Sequence, residues 1–142
     1  MVTALPTANE TATPEDRQGS LQPGFGKIYK EWVCNNYGGG GGHAQLRRSH
    51  QGFNRVFGGA KLTAAPLQCY SGECNGYYFT VCNWAGVNRA ETPNMRNIAA
   101  DRDPGADYNC LTTNYENEYI KYYWGRGTFD SSFARTIDRR RC

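Results

Sequence analysis

The side chains best suited to acid–base chemistry lie in a short polar segment that follows a run of five glycines. His43 and His50 are the two histidines of the chain, and Arg47 and Arg48 lie between them. Secreted ribonucleases use two histidines, or a histidine and a glutamate, as acid and base, with an arginine to stabilise the phosphate. The carboxylates that would complete such a set are Glu73, Glu116 and Glu118. No spacing specifies that arrangement, so the segment is more typical of a solvated basic loop, and we predict no catalytic residue.

Arginine is the side chain most suited to binding in this sequence, because it supplies 12 of the 16 basic residues. Together with tyrosine and tryptophan, arginine is enriched in protein interfaces. The net charge of +3 is small for a dedicated nucleic-acid-binding protein, which argues against such a partner. We predict a protein partner, and the candidate binding residues are Arg47, Arg48, Arg55, Arg135, Arg139, Arg140 and Arg141.

An acidic segment has part of the spacing of a calcium-binding loop. Asp101, Asp103 and Asp107 occupy positions 1, 3 and 7 of such a loop, but Ala106 and Thr112 replace the glycine and glutamate that it needs. A turn that ends a helix explains the same residues. The cysteines and histidines also lack zinc-binding spacing, and we predict no metal site.

The glycine run Gly38–Gly42 is followed by His43-Ala44-Gln45. A phosphate-binding loop requires lysine and serine or threonine at that point, so the run is interpreted as a flexible loop. We predict no cofactor.

Cysteine pairing is the chemistry that the sequence indicates most strongly. Leu, Ile and Val number only 15, against 19 aromatic residues, so cross-links would compensate for a thin aliphatic core. An even number of cysteines in such a chain predicts three disulfides and an extracellular location, with the pairing left open. The six residues are Cys34, Cys69, Cys74, Cys82, Cys110 and Cys142.

Residues 1–24 differ in composition from the rest of the chain. Thr, Ala, Pro, Glu, Asn and Gly dominate there, without apolar periodicity, and Asn9 begins an N-glycosylation sequon. We predict a disordered tail, either an inert leader or a cleaved pro-segment, followed by a single domain at 25–142. No apolar run is long enough to span a membrane, and we predict no membrane association.

Short alternating runs predict a small sheet. The strand candidates are Lys27–Cys34, Phe53–Phe57, part of Lys61–Tyr70, Gly76–Cys82, Asp107–Thr113 and Asn117–Trp124. Asn75-Gly76 predicts a hairpin turn.

Two segments predict short helices. One has Thr92 as N-cap and Pro93 at its first position, and ends before Asp103-Pro104-Gly105. The other begins near Asp130 or Ser131 and ends in Arg139–Arg141. The predicted fold is α+β: a small antiparallel sheet with one or two short helices, held by three disulfides.

The start of the chain and its composition are similar to those of a known class of secreted proteins. Ala4-Leu5-Pro6 looks like a start left by signal peptidase, and a Thr/Pro tail precedes six scattered cysteines among many Tyr, Gly and Asn residues. In this layout the chain resembles small secreted cysteine-rich proteins of filamentous fungi, many of them virulence or avirulence effectors of plant pathogens. One effector fold family that fits is the Leptosphaeria avirulence and suppressing family.

The resemblance implies a monomeric, non-enzymatic protein that binds a host protein or receptor, either in the host apoplast or after uptake into host cells. Two alternatives stay open: a secreted ribonuclease-like enzyme, and a carbohydrate-binding or antimicrobial protein.

Overall fold

The computed structural model describes residues 29–35, 42–114 and 117–142. Two helices and seven strands lie in this part of the chain. In chain order they are α1 (Gly42–Phe57), β1 (Leu62–Ala64), β2 (Gln68–Cys74), β3 (Tyr77–Asn83), β4 (Arg89–Glu91), α2 (Pro93–Asp101), β5 (Cys110–Thr113), β6 (Ile120–Arg126) and β7 (Thr136–Arg141). The α+β prediction is confirmed. The tail 1–24, with Asn9, lies outside the described residues, as do Gly38–Gly41 and Glu116.

A five-stranded sheet with the order β5-β6-β3-β2-β7 forms the centre of the fold. Its neighbours are antiparallel except β7, which runs parallel to β2. Asn75 and Gly76 both have positive φ in the turn between β2 and β3, which confirms the predicted hairpin. A separate two-stranded sheet pairs β1 with β4.

Helix α1 corrects two predictions, the basic loop at residues 43–50 and the strand at Phe53–Phe57. Leu46, Ser49 and Phe53 are buried at helical spacing along one face of the helix. Gly52 belongs to the same stripe, because a Cβ there would lie 2.7 Å from the Sγ of Cys74. A serine and a glycine in the buried stripe hide its helical period from an analysis that counts apolar residues.

Helix α2 begins where the sequence predicts. The hydroxyl of Thr92 accepts a hydrogen bond from the backbone N–H of Met95 at 3.2 Å. The helix carries a buried Arg96, whose guanidinium forms a 2.6 Å ion pair with Glu91. Tyr122 donates a hydrogen bond to the same carboxylate at 2.8 Å, so this buried charge pair links α2 to the sheet.

Strand β7 corrects the prediction of a helix near the chain end. Ile137 lies opposite Cys69 of β2, and Arg139 lies opposite Ser71. The pairing is parallel and connects residues far apart in sequence, so no local sequence pattern indicates the strand. In the predicted strand Lys27–Cys34, the described residues form only one bridge, between Val33 and Leu111.

Three disulfides are present and no cysteine is free, as predicted. Cys34–Cys110 joins the segment 29–35 to β5, and Cys69–Cys82 joins paired positions of β2 and β3. Cys74–Cys142 attaches the last residue of the chain to the end of β2. No described helix is long and apolar enough to span a membrane.

Candidate ligand-binding groove

The face of the sheet turned away from α1 forms the floor of the candidate site. Gly72 faces the helix, since a Cβ there would lie 3.0 Å from the Cα of Phe53. Side chains alternate along a strand, so Ser71 and Glu73 point to the opposite face. Thr80 of β3 shares that face, because its hydroxyl donates to the Oγ of Ser71 at 2.8 Å.

Aromatic rings continue this floor across β3 and β6. Tyr78 is buried and Tyr123 is half-buried. The ring of Phe129, only 4% exposed, lies above both of them, with its centroid 5.6 Å from that of Tyr78 and 5.2 Å from that of Tyr123. The segment that carries Phe129 therefore covers part of the floor.

The covering segment, residues 127–135, is attached to the sheet at both ends and at Phe129. Gly127 donates its N–H to the carbonyl of Gly76 at 2.6 Å, and Arg135 donates its N–H to the carbonyl of Leu67 at 2.8 Å. Arg139 of β7 donates to the carbonyl of Phe129 at 2.7 Å. These contacts hold the segment in a fixed arch over the sheet.

An open groove of about 670 Å³ lies beside this arch. Its size is in the range of pockets that bind small ligands. Four rings line it: Tyr78, Tyr123, Phe129 and Phe133. The polar side chains that line it are Asn109, Thr128, Asp130, Ser131 and Ser132. We call this cavity the groove.

The two tyrosines of the groove have their hydroxyls fixed by hydrogen bonds. Burial, more than the neighbouring Tyr108, raises the pKa of Tyr78 to about 12, so its hydroxyl is uncharged and donates to Oδ1 of Asn109 at 3.2 Å. The hydroxyl of Tyr123 accepts a 2.8 Å hydrogen bond from the indole of Trp84. The side chain of Asp130 is the one charged group among the lining residues.

A smaller pocket of about 220 Å³ adjoins the groove and shares Thr128 with it. Glu73, whose side chain is 6% exposed, lies here between two arginines. It is ion-paired with Arg139 and, at 3.3 Å, with Arg141. This carboxylate is thus the shared ion-pair partner of two of the predicted binding residues.

The two histidines lie on the other side of the sheet. His43 hydrogen-bonds through Nε2 to the carbonyl of Ala100 at 3.0 Å. Burial, followed by the positive charge of Arg96, lowers the pKa of His50 to about 4, and its ring lies 5.4 Å from that of Phe79. The structure therefore brings neither histidine to Glu73, and the arrangement that a ribonuclease would use is not assembled from these three residues.

The predicted binding arginines divide between the two faces of the sheet. Arg47 and Arg48 are exposed on α1, and Arg135 is exposed just before β7. Arg55 and Arg140 both lie near the end of α1. Arg55 lies 3.4 Å from the Sγ of Cys142, and Arg140 donates to the carbonyl of Val56 at 3.0 Å. Arg139 and Arg141 point to the groove side. The seven residues do not form one patch.

In the acidic segment at residues 101–107, two of the carboxylates that suggested a calcium loop are engaged by groups of the protein. Asp103 accepts a hydrogen bond from the N–H of Gly105 at 3.0 Å, as in a turn. Asp107 accepts from the hydroxyl of Tyr77 at 2.8 Å and forms a 3.0 Å ion pair with Arg126. Within the described ranges, no three His, Cys, Asp or Glu side chains are grouped as metal ligands.

Sequence reasoning missed the groove. Its rings come from β3, from β6 and from a segment that the sequence assigns partly to a helix, so they are distant in the chain. The available signal was the alternation in β3 and β6, which sets Tyr78 and Tyr123 on the face opposite Phe79 and Trp124.

Compared with known proteins, the chain matches no family model, no curated protein and no solved structure.

Proposed function

We propose that this is a secreted, non-enzymatic effector that binds a host or extracellular target, and that the target occupies the groove. The observation that carries the proposal is the groove itself, about 670 Å³ lined by four rings and by polar side chains. An apolar lining with a few placed polar groups is typical of ligand-binding sites. The proposed site thus differs from the predicted set of seven arginines, of which Arg47, Arg48 and Arg55 lie on α1 and Arg139 and Arg141 point to the groove side.

The disulfides support the extracellular part of the proposal. Disulfides persist in oxidising compartments and are rare in the cytosol. Three of them link the described residues, and one holds the chain end beside α1. This is compatible with an extracellular protein, and the plant apoplast is the extracellular compartment that the proposal assigns.

The attachment of the arch supports binding without large rearrangement. Two backbone hydrogen bonds and the Arg139–Phe129 contact fix the segment that forms one wall of the groove. A site that is ordered before binding loses less conformational entropy when a ligand enters, which favours affinity.

The test compares two tryptophan variants. Ser132 is exposed and lines the groove, so Ser132→Trp should obstruct it. Asn94 is exposed on α2, on the helix side of the sheet, and Asn94→Trp is the matched control. Labelled proteins are incubated with plant apoplastic fluid and cell walls, and bound protein is measured after washing. We expect Ser132→Trp to lose at least roughly tenfold in binding, as for a central interface position, and Asn94→Trp to bind like the parent.

Equal binding by both variants, both still folded by circular dichroism, would contradict the proposal. Hydrolysis of RNA by the parent that disappears in His43→Ala or His50→Ala would favour the ribonuclease-like alternative instead.

A further inference from the structure

The groove contains more hydrogen-bonding groups than an apolar ligand could satisfy. Its lining offers the amide of Asn109, the carboxylate of Asp130 and the hydroxyls of Thr128, Ser131 and Ser132. An apolar ligand that covered these groups would remove their water without replacing its hydrogen bonds, at a cost in free energy for each group. The ligand must therefore carry several hydroxyl or amide groups of its own.

The charges around the groove disfavour an anionic ligand. Asp130, the charged group of the lining, would repel a phosphate or a uronic acid. Arg139 and Arg141, on the groove side of the sheet, are both ion-paired with Glu73 in the adjoining pocket. A phosphorylated ligand would have to compete with Glu73 for these arginines and would also lie close to the carboxylate of Asp130, so an uncharged ligand fits better.

Two half-buried rings give the ligand an apolar contact. Tyr123 and Phe133 are each only partly covered by the protein, whereas Phe129 is almost completely buried. The face of an aromatic ring carries partial negative charge and attracts the weakly positive C–H groups of a ligand. A ligand with polar edges and C–H faces would satisfy both the rings and the hydroxyls of the groove.

We propose that the groove binds a neutral oligosaccharide, an inference that rests on the proposed binding function. A sugar ring has C–H groups on its faces, which would pack on Tyr123 and Phe133. Its hydroxyls would pair with Asn109, Asp130 and Ser132 at the margin of the groove. Since the chemistry assigned to the site is hydrogen bonding and ring packing, no bond of the saccharide is broken.

The probes are chitohexaose, laminarihexaose and cellohexaose, with an oligogalacturonide and single-stranded RNA as anionic comparisons. Binding to the full-length protein is measured by isothermal titration calorimetry. We expect at least one neutral saccharide to bind and both anions to bind at least tenfold more weakly.

Two pairs of variants locate the binding. Phe133→Leu keeps an apolar side chain but removes the ring, and it should weaken saccharide binding roughly tenfold, whereas Phe133→Tyr keeps the ring and should bind like the parent. Asp130→Ala removes an acceptor from an exposed position and should weaken binding severalfold. Asp103→Ala, an exposed acid outside the groove, is its control and should have no effect.

Absence of binding by all three neutral saccharides, or tighter binding of an anionic probe, would overturn the inference. If no saccharide binds, but a protein from apoplastic fluid binds Asn94→Trp and fails to bind Ser132→Trp, the proposed binding function stands with a protein target. If the groove variants change neither saccharide nor protein binding, both proposals fail.

Discussion

At the scale of single residues, burial decides which ionisable groups are available for chemistry. His50 is packed against Phe79 and lies near Arg96, and its lowered pKa keeps it neutral at physiological pH. Glu73 is buried but ion-paired on both sides. The residue types that make a ribonuclease conceivable from sequence are thus engaged in packing and ion pairs, on opposite faces of the sheet.

His50 should make the free energy of unfolding depend on pH. Its pKa is about 4 in the folded protein, below the ordinary value of 6.5, so between these values the unfolded chain binds more protons. Stability from this residue is therefore complete above about pH 6.5 and is lost as the pH falls toward 4. We expect His50→Asn to show a smaller loss of stability than the parent over this interval in urea titrations. An identical pH dependence in parent and His50→Asn would contradict this.

At the scale of elements, close approach of backbones explains the position of α1. Gly52 on the helix faces Cys74 of β2, and Gly72 on β2 faces Phe53. The absence of a side chain at both glycines lets the helix lie directly on the sheet.

Adding one carbon at Gly52 should therefore destabilise the protein. The new Cβ would lie 2.7 Å from Sγ and 2.9 Å from Cβ of Cys74, so the helix or the disulfide must move. We expect Gly52→Ala to lower the free energy of unfolding by about 1–3 kcal/mol. Gly59→Ala is the matched control, since a Cβ there meets nothing within 4 Å, and it should change stability by less than about 0.5 kcal/mol. Similar denaturation midpoints for the two variants would argue against the packing of α1.

Local signals in the sequence predict some elements and miss others for identifiable reasons. Thr92-Pro93 predicts the start of α2, and Asn75-Gly76 predicts the hairpin, because each depends on neighbours in the chain. Helix α1 is missed because Ser49 and Gly52 lie in its buried stripe. Strand β7 is missed because a parallel partner distant in sequence decides its conformation. The groove depends on the same distant pairings, so the sequence identifies its residue types but not their association.

At the scale of the whole molecule, two disulfides secure segments at the two edges of the sheet. Cys34–Cys110 links the segment beside β5, and Cys74–Cys142 links the end of β7. The latter bond closes a loop with a sequence separation of 68 residues, which contains most of the described sheet. Arg139 of the strand that it secures also contacts the arch over the groove.

Removal of the terminal disulfide should loosen β7 before the rest of the sheet. We expect the double variant Cys74→Ser/Cys142→Ser to lose about 4 kcal/mol of stability, the value for a loop of this length. Amide hydrogen exchange in β7 should accelerate more than exchange in β3 and β6, which are paired on both sides. Removal of Cys34–Cys110 by the same substitutions is the control and should leave the protection of β7 closer to that of the parent. Unchanged exchange in β7 after loss of the terminal bond would contradict this role.

The proposed binding site for targets is the groove, and not the arginines of α1. The test is an NMR titration of the isotopically labelled protein. The material added is either the apoplastic fraction that binds the parent protein or a neutral saccharide that binds it, and the backbone amide signals are followed. We expect the backbone amide chemical shifts to change at residues 109–111, in β6 and at residues 128–133. The amide signals of Arg47, Arg48 and Arg55 should stay unchanged. Shifts confined to α1, with the groove unaffected at saturation, would contradict it.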